Sequence, residues 1–264
     1  MSPEDFEVIV VDDCSSQDTM DYIKSINWQF NLRYFKNKMN LGRSGARNVG
    51  IEQSKGDVLV FTDDDCLLSP DYLQNHLNFF KKGFVSHGAI WNIPYLKFFS
   101  DPACGKLYPE YKNRQVTNLL NMCISEGDVL NNFDRIIVLS KKTNFENAVE
   151  KFINGTDSSL NWISCTGGNI AVEAEIAKEL GGFDEQLGKD WGMEDIEFGY
   201  RLYAKGHKFQ YINNASVFHM AHYRFNTDEL SQKAIKYFYQ KHKEFDYHID
   251  LFKSLVSGEI YYNV

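Results

Sequence analysis

The chain has 264 residues, of which 43% are apolar and 24% charged. That is enough for one large domain, or a domain with an attached lobe, and it excludes a disordered chain, a coiled coil or a collagen-like repeat. The net charge of −8, with no basic stripe, argues against a nucleic-acid-binding domain. No window approaches the run of about 18 apolar residues that spans a membrane. The five cysteines are scattered and form no CxxC, which fits a reducing compartment rather than a disulfide scaffold or structural zinc. The opening MSPEDFE has no signal-peptide pattern. A cytoplasmic protein is expected, with any membrane contact peripheral.

Val8 to Val11 is a β-branched run without alternation, as in a strand buried on both faces of a parallel sheet. It ends in Asp12-Asp13 and a polar turn. A short helix over Asp18–Ile26 and a strand near Leu32–Phe35 follow. The turn Asn40–Gly45 leads into a helix from about Ala46 to Gln53, ended by Gly56. Asp57–Phe61 reads as a second buried strand, running into Thr62-Asp63-Asp64-Asp65. Residues 84–163 are less regular, and loops and short helices are expected there. Order returns at Ser164-Cys165-Thr166-Gly167-Gly168-Asn169-Ile170-Ala171, before a helix over Glu173–Leu180. Paired glycines suit either a tight turn or a backbone lying against a ligand. Trp191-Gly192-Met193-Glu194-Asp195 precedes apolar residues at helical spacing, so both acids fall in a first turn, where the helix dipole favours them. Gly206 stops that helix. A last apolar stretch, Ala215–Phe218, ends at His219, with His222 three residues on.

Alternating strands and helices imply an α/β fold, with strand ends gathered on one rim. Asp12/Asp13 and Asp63/Asp64/Asp65 then converge on one pocket. Carboxylates there suit a hard cation such as Mg²⁺ or Mn²⁺, or simply begin turns and cap helices. Arg43 and Arg47 lie between the two acidic ends, as surface groups or as contacts to a base or phosphate. No GxGxxG follows the first strand and no P-loop is present.

Taken in order, FEVIVVDDCSSQDT, NLGRSGARNVGIEQSKGDVLVFTDDDC, TGGNIAVEAEIAKELGGFDE and WGMEDIEFGYRLYAKG resemble the GT-A glycosyltransferases of family 2. The later blocks are similar to those of chondroitin-polymerase-type and β-1,4-galactosyltransferase-type enzymes. The resemblance implies a GT-A fold, Rossmann-like, with a mostly parallel sheet flanked by helices. It implies a glycosyltransferase domain over 1–222: a nucleotide-binding part (1–66), an irregular insertion (84–163) and an acceptor and catalytic part (164–222). A C-terminal helical extension (223–264) follows. The implied reaction is inverting transfer from a nucleotide sugar, UDP-linked, to a glycan, lipid-linked, peptide or small-molecule acceptor.

The resemblance also implies residue roles. Asp65 binds Mn²⁺ or Mg²⁺ with His219, His222 being the competing histidine. Asp63 faces the donor sugar or ribose and joins the metal set, with Asp64 as the variable middle residue. Asp12 and Asp13 contact the uracil, and Arg47 lies near the base or ribose. Gly168, Trp191 and Gly192 shape the donor and acceptor pocket. Asp195 is the base, with Glu194 beside it towards the acceptor. One departure stands out: the strand that usually precedes the first block has no counterpart after Met1. A gap is therefore expected beside the Val8 strand, filled by another segment or a second chain, or left exposed. Two other readings remain at this point, a nucleotidyltransferase and a non-catalytic partner subunit.

Overall fold

The structure is a computed structural model and describes residues 1–15, 19–155, 159–189, 192–222, 227–242 and 250. In chain order the elements are β1 (Glu7–Asp12), α1 (Thr19–Ser25), β2 (Asn31–Lys36), α2 (Gly42–Gln53), β3 (Val58–Thr62), β4 (Cys66–Leu68), α3 (Tyr72–Phe79) and β5 (Phe84–Ile93). Then come β6 (Phe99–Asp101), β7 (Lys106–Leu107), α4 (Val116–Asn121), α5 (Glu126–Asn131), α6 (Phe133–Leu139) and α7 (Asn144–Asn154). Last are β8 (Asn169–Glu173), α8 (Ala174–Glu179), α9 (Glu194–Ala204), β9 (Lys208–Met220) and α10 (Thr227–Lys241).

The central sheet has the order β3-β8-β5-β9-β4. By direction the strands are mostly parallel: β3, β5 and β9 run one way, as β1 and β2 run with each other, while β8 and β4 run against their neighbours. The reversal of β8 has a consequence for the rim. Asn169, the first residue of β8, lies opposite Thr62, the last of β3. The glycine pair ahead of β8 therefore reaches the same edge as the aspartates after β3.

The main core lies between this sheet and α8, α9 and α10, around Trp162, Ile170, Phe183, Phe198 and Phe238. Of residues 223–264, Thr227–Lys241 form α10, whose Phe238 is fully buried in that core, and the rest of this stretch except His242 and Asp250 lies outside the described residues.

Three local expectations need correction. The helix expected from Ala46 begins at Gly42, because the Asp13 carboxylate accepts the Leu41 and Gly42 N–H groups at 2.9 and 2.7 Å and satisfies its first turn. It ends at Gln53, with Ser54 rather than Gly56 at the cap. The stretch 84–163 is not irregular from its start: Phe84–Ile93 is β5, in the middle of the sheet. Polar residues hid it. Buried Ser86 and His87 find internal partners, Gln210 and Ser164, and Gly88 admits the Ala215 carbonyl where any Cβ would collide with it.

The strand at Val8 is also less buried than its composition predicts. Val8 to Val11 are all half-buried, because β1 pairs only with β2. No described strand pairs with the far edge of β1 or the outer edge of β3. α2 touches both strands: Gly50 lies against Val11, and Ile51 shares a core with Leu59. Unpaired strand edges recruit other strands. The isolated chain is therefore expected to self-associate, or to melt below about 45 °C, the low end for mesophilic domains. Light scattering across a concentration series with a thermal melt checks this. A concentration-independent monomer of ordinary stability would refute it.

Candidate active site

Five pieces of chain meet at the rim: the ends of β1 and β3, the Gly167–Gly168 turn, the start of α9 and the end of β9. Asp12 is buried and holds a turn, accepting from the Ser15 N–H at 2.7 Å and from the Tyr34 hydroxyl. These hydrogen bonds hold its carboxyl down at about 2. Asp13 caps α2 as described, and also accepts from Asn37 at 2.8 Å. Both carboxylates are thus bound to their own chain at the corner expected to face the base.

Arg47 projects from α2 into the centre of the site. It donates to Asp63 at 3.0 Å and to Glu194 at 2.9 Å, and its guanidinium lies 5.3 Å over the Phe183 ring. Arg43 adds a weaker pairing to Glu194 at 3.5 Å. Arg47 therefore joins the acids after β3 to the acids of α9. It is expected near the base or ribose; in the structure two of its N–H groups go to Asp63 and Glu194. A Cβ on Gly167 would run into this guanidinium, and one on Gly168 would approach Asp63 at 3.3 Å. The glycine pair is thus required by close packing of these side chains. Glu194 is 2% exposed, and its Oε2 has no hydrogen-bond partner. Removing Arg47 would strand that buried carboxylate. Arg47→Ala is expected to cost about 3 kcal/mol of stability, measured by urea unfolding. A loss under about 1 kcal/mol, the scale of a surface pair, would mean that the link is dispensable.

Asp195 follows directly. Its Oδ2 accepts from the Gly167 N–H at 3.0 Å and its Oδ1 from the Ile196 N–H at 2.8 Å. Sequence position suggests that the helix dipole keeps it ionised. The structure shows stronger opposing effects. Burial, and then the neighbouring Glu194 charge, push its carboxyl up to about 6, against the pull of Arg47 and the two N–H groups. A carboxylate tuned to this range suits a general base. The helix start is set by two consecutive left-handed residues, Gly192 (φ 90°) and Met193 (φ 73°). The second carries a side chain, so its conformation is strained, and such strain concentrates at functional sites. Trp191 lies outside the described residues.

The third group lies at the end of β9. Asp65, His219 and His222 each offer a ligand atom, and all three atoms lie within 4.8 Å of one another. Nε2 of His219 is 3.1 Å and Nε2 of His222 is 3.4 Å from the same Asp65 oxygen. The β4–β9 ladder makes this meeting possible, with Cys66 opposite His219 and the Met220 N–H bonded to the Asp65 carbonyl. One carboxylate and two imidazoles are a donor set that could hold a divalent ion. Both histidines, expected as competitors, lie within reach of Asp65. Asp63 is not in this group, since its carboxylate turns to Arg47. Asp64 is exposed.

Sequence reasoning missed Asn92. Its side-chain oxygen lies 2.8 Å from Nδ1 of His219, one strand over in the β5–β9 register. An amide oxygen there fixes the tautomer, with Nδ1 as the donor and Nε2 open towards Asp65. It missed Asn169 too, whose amide donates to the Ala89 and Ala215 carbonyls at 3.1 and 2.8 Å and pins the irregular stretch of β5 and β9. No local pattern marks either residue, because each is defined by strands distant in sequence.

Comparison with known proteins bears on the family and the fold. The profile of "Glycosyl transferase family 2" matches residues 2–139, and that of "N-terminal domain of galactosyltransferase" matches residues 147–223. The chain is 28% identical to a chondroitin synthase of Pasteurella multocida (strain Pm70) over 222 residues, covering 81% of this chain and 21% of the relative. Its fold matches the crystal structure of GalNAc-T7 with UDP, GalNAc and Mn²⁺ at a TM-score of 0.53 and 20% identity, covering 88% of this chain and 43% of the other. It also matches the mannosyltransferase PcManGT from Pyrobaculum calidifontis in complex with GDP-Man and Mn²⁺, at a TM-score of 0.54 and 14% identity, with coverages of 92% and 58%. The chain thus spans between about a fifth and three fifths of the proteins it matches. The sheet with its reversed strand is that of the GT-A fold, and the chain belongs to glycosyl transferase family 2.

Proposed function

We propose that the chain transfers a sugar from a nucleotide sugar, UDP-linked, to an acceptor hydroxyl by a single inverting displacement. The observation that carries this reading is the arrangement of two functional groups on one rim: a three-ligand metal set and a carboxylate tuned to about 6. Asp65, His219 and His222 would hold Mn²⁺. When bound, that ion offsets the charge that grows on the departing nucleoside diphosphate.

The chain's own residues account for the rest. Asp195 takes the proton from the acceptor hydroxyl as its oxygen attacks the anomeric carbon. The bond from that carbon to the diphosphate breaks, and its electron pair leaves with the phosphate oxygen. Arg47 holds Asp63 and Glu194 apart from each other's charge and keeps α9 in place. Glu194 lies beside Asp195 on the acceptor side and helps to position the acceptor. The corner at Asp12 and Asp13 borders the same rim and walls the side of the nucleotide base, with Gly168 and Gly192 leaving room for the sugar. The UDP of the GalNAc-T7 structure supports a uridine donor, while the GDP-Man of the mannosyltransferase makes guanosine the comparison to run.

The test is calorimetry with UDP and GDP, with and without Mn²⁺, together with an assay for the nucleotide product formed from UDP-sugars. Tight UDP binding only with Mn²⁺ and release of UDP are expected. Release of pyrophosphate from UTP and a sugar phosphate would make the chain a nucleotidyltransferase. Absence of nucleotide binding would make it a non-catalytic subunit.

A further inference from the structure

Six arginines fall among the described residues. Arg33 pairs with Glu7, Arg43 and Arg47 with Glu194, Arg135 with Asp128 and Arg201 with Glu197. Of these six described arginines, Arg114 alone has no carboxylate within ion-pair distance. It is held by rings instead. Its guanidinium lies 4.3 Å over Phe98 and 5.7 Å from the centre of Tyr111, and these two rings meet edge to face at 4.9 Å. Phe98 is 8% exposed, so the platform is fixed in the small cluster with Phe99 and Leu119. Lys97 shares the same ring, its ammonium 5.3 Å from the centre. Two cations thus gather at one buried ring, with neither ion-paired to a carboxylate. Stacking occupies the face of a guanidinium and leaves its in-plane N–H fork for an oxyanion.

The surroundings have the same sign. Residues 95–115 carry Lys97, Lys106, Lys112 and Arg114 against Asp101 and Glu110, in a chain of net charge −8. Lys106, Lys112 and Arg114 are exposed. The segment also adjoins the site. It begins just after Ile93, whose carbonyl accepts the Ala221 N–H, between His219 and His222 in sequence. Tyr95 packs both against the cluster of Phe218 and Met220 and against the cluster of Phe98.

We infer that residues 95–115 form an acceptor subsite for an anionic group, a carboxylate or phosphate carried by the acceptor glycan, with Arg114 as its fork and Lys97 as its second cation. This rests on the glycosyl-transfer reading and adds the charge class of the acceptor to it. The donor diphosphate has its own place at the metal set, so the subsite acts on the acceptor alone.

Ligand-observed NMR titration without donor tests it, with trigalacturonate against its neutral methyl ester and glucose 6-phosphate against glucose. At least one charged probe is expected to bind roughly fivefold tighter than its neutral counterpart, and the arm that shows the preference identifies carboxylate or phosphate. Arg114→Ala should abolish the preference, and Arg114→Lys should keep part of it, while calorimetric affinity for UDP with Mn²⁺ stays unchanged in both variants. Equal binding of charged and neutral probes, a preference that survives Arg114→Ala, or weakened UDP binding in Arg114→Ala would each overturn the subsite. A wild-type chain that prefers the charged probes but does not bind UDP with Mn²⁺ overturns the transfer reading and leaves the anion site standing.

Discussion

Asp195→Asn is expected to remove nearly all sugar transfer while leaving nucleotide-sugar affinity almost unchanged. The substitution keeps the size of the side chain, removes the proton acceptor and gives up one of its two N–H hydrogen bonds, and loss of a general base costs about 10²–10⁴-fold in rate. The pH profile supplies an independent check. The base works only when ionised, and burial with the Glu194 charge places its titration at about 6. Transfer should therefore rise as pH increases through 6 and level off above it. Glu194→Gln removes the neighbouring negative charge, so Asp195 ionises more readily and the rising limb moves to lower pH. Its cost in transfer should be smaller and weighted towards acceptor KM, because Glu194 is placed to bind and not to take the proton. Near-normal turnover of Asp195→Asn at saturating acceptor would show that the proton leaves by another route.

Nucleotide-sugar binding should collapse on chelation of divalent ions, and Asp65→Ala should reproduce the collapse. Asp65 is the one carboxylate in the three-ligand group, and both histidines aim Nε2 at it. In a chain at −8, an acidic rim repels a diphosphate unless a cation lies between them. His219→Ala and His222→Ala should each weaken Mn²⁺ binding less than Asp65→Ala does. Asn92→Ala should weaken it by about tenfold, since the imidazole of His219 loses the acceptor that fixes its tautomer. Calorimetry of Mn²⁺ with UDP across these variants reads all four changes. Equal UDP affinity with and without metal would sink the assignment. An unchanged His222→Ala would reduce the set to Asp65 and His219.

The sequence carried the acids in a readable form because they follow strands and open helices. Asp12/Asp13 and Asp63–Asp65 end β-branched runs, and Glu194 and Asp195 stand before a helical period. Such signals are local, set by propensity and by the spacing of apolar residues. The class of the fold and the likeness to family 2 rest on the same local blocks taken in order. The middle strand β5 escaped because its polar residues are satisfied by partners far along the chain, and a pattern of apolar residues cannot report that.

What only the tertiary structure decided is which charges face which. Arg47 could serve a ligand or the surface on sequence grounds, and packing assigns it to Asp63 and Glu194. Asp195 looked ready to ionise beside a helix dipole, yet desolvation and a like charge hold its proton until about pH 6. His219 and His222 were rivals as isolated histidines; the β4–β9 ladder sets His219 beside Asp65, and the chain just past β9 brings His222 there too. Residue types and local periodicity thus determined the elements and the chemistry available. Burial, like-charge proximity and strand register depend on residues up to 157 positions apart, as for Asp65 and His222, and these decided how that chemistry is combined.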